Sequence, residues 1–215
     1  LDKIGPMCRS AEDCGLVLQT ISGRDSNDPG SSGNSFYNLK EYGRPLSELR
    51  IGYAPVDFAE RAAESARPAL QAALEVFRKL GPKMVEMSLP PMPYGAVVGA
   101  IIQAEGSSIF ESLITSDKFD QMPDERQKAG LRAGLEVPAK DYLKAMRIRR
   151  LIQEKLRKVF VDVDVILSFS TRGPASGIND ALDRGGPPPA APGAARAENR
   201  GNSDLGQAGN LAGLP

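Results

Sequence analysis

The stretch "LRIGYAPVDFAERAAESARPALQAALEVFRKLGPKMVEM", residues 49–87, decides the fold class of this chain. Leu49-Arg-Ile-Gly-Tyr53 alternates like a strand, and Lys83-Met-Val-Glu-Met87 alternates as a second one. Between them Leu70, Ala73, Leu74 and Phe77 fall at helical spacing over about residues 64 to 80, and Leu80-Gly-Pro-Lys83 stops that helix. A strand, a helix and a strand in this order form a βαβ unit, which predicts an α/β protein with parallel strands and a right-handed crossover. Pro90-Pro91 closes the unit.

Working downstream, a helix is expected from about Tyr94 to Thr115, with Val97, Ile101, Ala104, Ser108 and Ile109 on one side. Its centre of small residues (Ala104, Gly106, Ser107, Ser108) predicts close packing against another element. Residues 116–133 are charged and read as partly helical. Pro138-Ala-Lys-Asp141 then opens a long helix to about Phe160, in which Ala145, Ile148, Ile152, Leu156 and Val159 mark one buried face. Val163-Asp-Val-Ile-Leu167 is a third strand, and its apolar character predicts a central position. From about residue 171 to 205 the chain is rich in Pro, Gly and Ala, a composition that predicts a flexible loop. The closing Gly209-Asn-Leu-Ala-Gly-Leu-Pro215 shows no helix cap.

Upstream, Ser10-Ala-Glu-Asp13 resembles a capping box, and Leu16, Val17, Leu18 and Ile21 continue it as a short amphipathic helix over about residues 11 to 22. Gly23 ends that helix, and residues 24–47 read as a long surface loop of Asp, Asn, Gly, Ser and Pro.

Composition narrows the chemistry. Lys plus Arg and Asp plus Glu are both 27 in a chain of 215 residues, so no overall field recruits nucleic acid or an anionic membrane. No apolar run approaches the roughly 20 residues a bilayer span requires, and Cys8 and Cys14 make no disulfide framework. A cytoplasmic setting with reduced thiols is expected. The chain has 0 His, which removes Ser-His-Asp and Cys-His catalysis and His-based zinc sites. Catalysis would need Ser-Lys, carboxylate or Cys chemistry, or groups from outside these residues.

Four features offer chemistry, each with a plainer reading beside it. Gly30-Ser-Ser-Gly-Asn-Ser35 has the composition of an oxyanion-binding turn, with Lys40 as an imaginable base, but nothing apolar flanks it, so a polar loop is the expectation. Lys140, Lys144, Arg147, Arg149, Arg150, Lys155, Arg157 and Lys158 make a basic helix, a phosphate-contacting face or, as expected, a solvated one. Glu105 lies in an apolar helix centre, where a structural hydrogen bond is preferred over an acid-base role. Asp162 and Asp164 alternate with valines and are expected in solvent rather than on a metal. No phosphate-cradling glycine loop is present.

"LDKIGPMCRSAEDCGLVLQTISGRDSNDP", residues 1–29, resembles the segment of the amidase signature family that runs Ser-Leu-Asp-x-x-Gly-Pro, a capped helix, then Ile-x-Gly-x-Asp-x-x-Asp-Pro. The agreement covers Leu1, Asp2, Gly5, Pro6, Arg9, Glu12, Asp13, Gly23, Asp25, Asp28 and Pro29. "LRIGY", "ALEVFRKLGPKMVEMSLP", "QAEGSSIFESL" and the long helix with its following strand are similar to later family segments in the same order. "GNLAGLP" resembles the Asn-Leu-x-Gly-x-Pro turn before a further core strand.

The resemblance implies an α/β fold in which a large mixed sheet is flanked by helices on both faces. This chain, 1–215, would be an incomplete portion of that domain. It further implies amide hydrolysis by a Ser–cis-Ser–Lys triad whose members all precede the Leu-Asp-x-x-Gly-Pro motif. No catalytic residue is therefore expected in this chain, which is expected to be inactive alone, and the Ser31-Ser32 pair is a decoy. Asp2, Gly5 and Pro6 would support the active site structurally, and Asp204 and Asn210 would lie pocket-side. The resemblance implies no cofactor and no metal. The implied partner is a small-molecule amide substrate; the balanced charge and the lack of a long apolar run speak against a nucleic-acid or membrane partner, and a homodimer is left open. Within the family, the A subunits of glutamine-dependent tRNA amidotransferases carry an Arg-Arg pair before the long helix. The corresponding positions here fall near Ala129 and Gly130, which favours a stand-alone amidase. A non-enzymatic scaffold using the basic helix is the further alternative.

Overall fold

The computed structural model describes residues 1, 5–37, 43–169, 177–178 and 201–214. The chain divides into two compact units, Asp2–Pro45 and a larger one made of Leu1 with Leu46–Pro215. In the smaller unit α1 (Ala11–Ile21) begins where the Ser10 hydroxyl accepts the Asp13 N–H at 3.1 Å. The cap is as expected from the capping pattern, because it satisfies a donor that the first turn leaves without an intrahelical partner.

The larger unit is built on the βαβ segment. β1 (Arg50–Tyr53) and β2 (Lys83–Glu86) pair in parallel, with Arg50 opposite Lys83 and Tyr53 opposite Glu86. α2 (Arg67–Leu80) connects them, starting with Pro68 in its first turn and ending at Gly81, whose φ of +86° is open to glycine at little cost. The chain then runs through α3 (Tyr94–Ile109), α4 (Glu111–Ile114), α5 (Glu125–Gly134) and α6 (Ala139–Asp162). It returns to the sheet as β3 (Val165–Leu167), parallel to β1 on its other side.

The strand order is β2-β1-β3, so β1 is the central strand of the described sheet and β3 is not. The apolar run of β3 has a different cause. Ile166 packs into the core formed by α3, α6 and residues 205–212, while Leu167 packs with Tyr53, Phe58 and Leu74 beneath α2. Successive strand residues face opposite sides, so helices cover both faces of the sheet. An apolar run reports two covered faces, not the number of neighbouring strands.

α6 carries the expected stripe: Ala145, Ile152 and Leu156 are buried, with Ile148 and Val159 half-buried. α3 stops at Ile109, short of the expected Thr115, and α4 continues after a break at Phe110. The small centre of α3 does pack closely, and its partner is α5. Ser107 is buried and donates to the Leu131 carbonyl at 2.7 Å. A Cβ on Gly134 would stand 1.9 Å from the Ser107 hydroxyl, so only glycine permits this approach.

The largest departure lies at the end of the chain. Leu205–Ala212 form α7, which buries Ala208, Gly209 and Leu211, and Gly213 ends it at φ +78°. "AGLP" thus holds a helix C-cap glycine rather than a turn leading directly to a strand. Gly201 and Asn202, inside the stretch expected to be a loop, are also buried. Residues 171–176 and 179–200 of that stretch lie outside the described residues.

Candidate functional site

In parallel α/β sheets the loops leaving the carboxyl ends of the strands converge, and ligand sites form there. Here β1 leads into a short π-helical turn, Asp57–Arg61, β2 leads to Leu89, and β3 leads to Ser168 and Phe169. Residues 201–203 bind all three. The Asn202 N–H donates to Asp57 Oδ2 at 2.5 Å, and the Leu89 N–H donates to Asn202 Oδ1 at 3.0 Å. The Ser168 hydroxyl donates to the Asn202 carbonyl at 3.0 Å, and Arg61 Nη1 donates to the Ser203 hydroxyl at 2.7 Å. A Cβ on Gly201 would lie 2.2 Å from Asp57 Oδ1, so glycine is required for the backbone to approach the carboxylate.

Asp57 and Asn202 are both 0% exposed. Burial pushes the Asp57 carboxyl above its ordinary 3.8; the Asn202 N–H and Arg61 oppose this, and the negative Asp204 adds to it. Arg61 Nε stands 3.7 Å from Asp57 Oδ1. Among the described residues neither Asp57 Oδ1 nor Asn202 Nδ2 has a hydrogen-bond partner. The cluster is thus a partly satisfied buried polar network, in which each group carries a high electrostatic stake.

Of the two residues expected at the pocket, Asp204 immediately precedes α7 and Asn210 lies on it, both half-buried. The Asp204 side chain does not cap the helix. Tyr94, fully buried at the start of α3, donates to the Pro90 carbonyl at 2.7 Å. Burial and then the charge of Asp204 push its hydroxyl up to about 12. α7 is tied to α6 through the Leu211 carbonyl, which accepts from Arg149 Nε at 2.8 Å and from Gln153 Nε2 at 3.3 Å. Arg149 is therefore a packing contact of the basic helix, while Lys140, Lys144, Arg147, Arg150, Lys155, Arg157 and Lys158 are exposed.

The residues expected to support the site from the smaller unit stand as follows. Asp2 lies outside the described residues. Gly5 is exposed, with nothing within 4 Å of where a Cβ would be. The Pro6 carbonyl accepts the Cys14 thiol at 3.7 Å. The Ser31 hydroxyl accepts from the Asp25 N–H at 3.0 Å and faces the Asp25 and Asp28 carbonyls at 3.0 and 2.8 Å, so its hydrogen bonds close a local turn. Lys40 lies outside the described residues.

Glu105 accepts the Tyr142 hydroxyl at 3.1 Å, the structural hydrogen bond at a helix contact that the sequence predicts. The pair lines an open cavity of about 360 Å³ with Ala104, Ser108 and Ile109. The hydrogen bond to Glu105, followed by burial, pushes the Tyr142 hydroxyl above its ordinary value. Asp162 ends α6 in solvent, but Asp164 accepts Arg50 N–H at 2.9 Å and pairs with its guanidinium at 3.1 Å, joining β1 to β3. No group of three or more His, Cys, Asp or Glu among the described residues is placed to hold a metal.

The residues that organise the strand ends, Asp57, Arg61, Asn202 and Ser203, were not singled out by sequence reasoning. The only signal is the polar Asn202-Ser-Asp204 triplet, residue types that favour a helix start, ahead of Leu205. It was hidden by the Pro/Gly/Ala-rich stretch in front of it.

The Amidase family profile matches residues 1–189, and the chain belongs to that family. Among curated relatives it is 32% identical to the A subunit of glutamyl-tRNA(Gln) amidotransferase from Nitrosomonas europaea, over 85% of this chain and 43% of the relative. It is 29% identical to an amidase of Pseudomonas putida, over 82% of this chain and 38% of that protein. The crystal structure of the glutamyl-tRNA(Gln) amidotransferase A subunit from Thermotoga maritima shares the fold, with a TM-score of 0.67 at 23% identity over 99% of this chain and 44% of that one. The chain therefore spans less than half the length of the relatives it matches. No described helix is long and apolar enough to cross a membrane.

Proposed function

We propose that the intact protein is an amidohydrolase that cleaves a carboxylic amide C–N bond through a serine nucleophile. The carrying observation is the Amidase family match over residues 1–189, which begins in the Leu-Asp-x-x-Gly-Pro motif. In this reading a Ser–cis-Ser–Lys triad outside the present residues does the chemistry. An unprotonated lysine takes the proton relayed by the second serine, the first serine attacks the carbonyl, and backbone N–H groups bind the oxyanion. The triad suits a chain with 0 His, because its base is an amine rather than an imidazole.

The contribution of this chain is architectural and recognition-based. Asp2, Gly5 and Pro6 support the turn leaving the catalytic core, and Asp204 and Asn210 line the substrate side. A small-molecule amide substrate, a cytoplasmic setting and a homodimer as one assembly belong to the same reading. A tRNA amidotransferase A subunit is the second reading, favoured by 32% identity to the Nitrosomonas europaea protein. Against it, the Arg-Arg pair that the family resemblance implies for such A subunits would fall near Ala129 and Gly130, and the departure argues for the stand-alone amidase.

The test is turnover of simple aryl amides by the intact protein. Hydrolysis that disappears when the upstream nucleophilic serine becomes Ala supports the proposal; hydrolysis by residues 1–215 alone overturns the assignment of the triad. Glutamine-dependent ammonia release that needs an aminoacyl-tRNA partner would select the second reading.

A further inference from the structure

The segment from Gly201 to Asp204 has no regular secondary structure, and contacts from elsewhere in the chain set its course. Three strand-end loops do so, through Asp57 with Arg61, through Leu89 and through Ser168. Asp57 is central to the set: its carboxylate takes the Asn202 N–H, touches Gly201 and stands beside Arg61, which in turn holds Ser203. Two residues further on, the chain enters α7 with Asp204 and Asn210.

A buried, incompletely paired carboxylate is a poor stabilising device, because desolvation opposes the Coulombic gain. Its second oxygen, with no hydrogen-bond donor among the described residues, makes the arrangement costlier still. Such exceptions to full satisfaction concentrate where geometry serves function.

We infer that Asp57 is a positioning residue of the amide-hydrolysing site. Its carboxyl group, acting through Asn202 and through Arg61 with Ser203, sets where the chain enters α7 and hence where Asp204 and Asn210 meet the substrate. The link from Asp57 to substrate rests on the proposed function, whereas its link to residues 201–214 rests on geometry alone. Asp57 holds position without touching the reacting atoms.

The experiment compares Asp57→Ala, Asp57→Asn and Arg61→Gln in the intact protein, reading backbone amide exchange across 201–214 together with kcat and KM on an aryl amide. In Asp57→Ala, exchange in that segment and KM should both rise about tenfold or more, the factor for one hydrogen bond to a charged group, with kcat changing less. Asp57→Asn retains an acceptor for the Asn202 N–H and should restore both toward wild type. Unchanged exchange in 201–214 for Asp57→Ala overturns the inference, as does a uniform rise across the whole chain that Asn does not rescue. If Asp57→Ala does not fold, Arg61→Gln decides. A rise in exchange confined to 201–214 supports positioning, and none overturns it. If the wild-type protein hydrolyses no aryl amide, the proposed function fails while the exchange data still decide what Asp57 holds.

Discussion

At the scale of the residue, Asp57 gives an inverted pH dependence for a carboxylate beside an arginine. Its value is raised above the ordinary 3.8 because burial outweighs the help of the Asn202 N–H and Arg61, and Asp204 adds repulsion. The folded chain therefore holds this proton more tightly than the unfolded chain. The Asp57 contribution is fully present below 3.8 and is lost as pH rises through the raised folded value. Asp57→Asn removes that loss, so its urea midpoint relative to wild type should improve as pH increases from about 4 to about 7; a constant difference over that range would contradict the account. Gly134 yields a second prediction. A Cβ there meets the Gln103 backbone carbonyl at 2.4 Å as well as Ser107, and a backbone atom cannot rotate away. Gly134→Ala should destabilise by about 1–3 kcal/mol or more in denaturant unfolding, as overpacking does.

At the scale of the element, α6 and α7 show why one helix was legible and the other was not. α6 runs 24 residues with its apolar positions at helical period, so its buried face could be named from spacing. Ile152, at 0% exposure in the main core, is the centre of that face, and Ile152→Ala should cost about 2–5 kcal/mol by thermal or denaturant unfolding. α7 is only 8 residues, contains Gly206 and Gly209, and has no side-chain cap. Local propensity does not make such a segment helical. Burial of Ala208 and Leu211 and the Arg149 and Gln153 bonds to Leu211 do, and those are contacts with distant residues. β3 follows the same logic: its faces were legible, its place in the sheet order was not.

At the scale of the whole molecule, the balance of 27 basic and 27 acidic residues sets the expectation for the exposed face of α6. Long basic side chains on one helix, without a net positive field, suit a solvated surface. The intact protein should show no RNA retention in filter binding at about 0.15 M salt; retention that falls steeply as salt rises would instead favour the scaffold reading. The incomplete span relative to the relatives also divides the proposed activity. The residues present here supply the family match, over 1–189.

Local patterns determined what depends on neighbours along the chain: the βαβ unit, the α1 cap, the stripe of α6 and the family motif beginning at Leu1. These are readable because helical and strand periods repeat within a few residues. The tertiary structure alone decided that β1 is central, that α7 exists, and that Asn202 is a buried junction. Asn202 stands 145 residues from Asp57 and 113 from Leu89 in sequence, and no periodicity reports a hydrogen bond across such a distance. Those bonds form only once the strands have brought their carboxyl ends together.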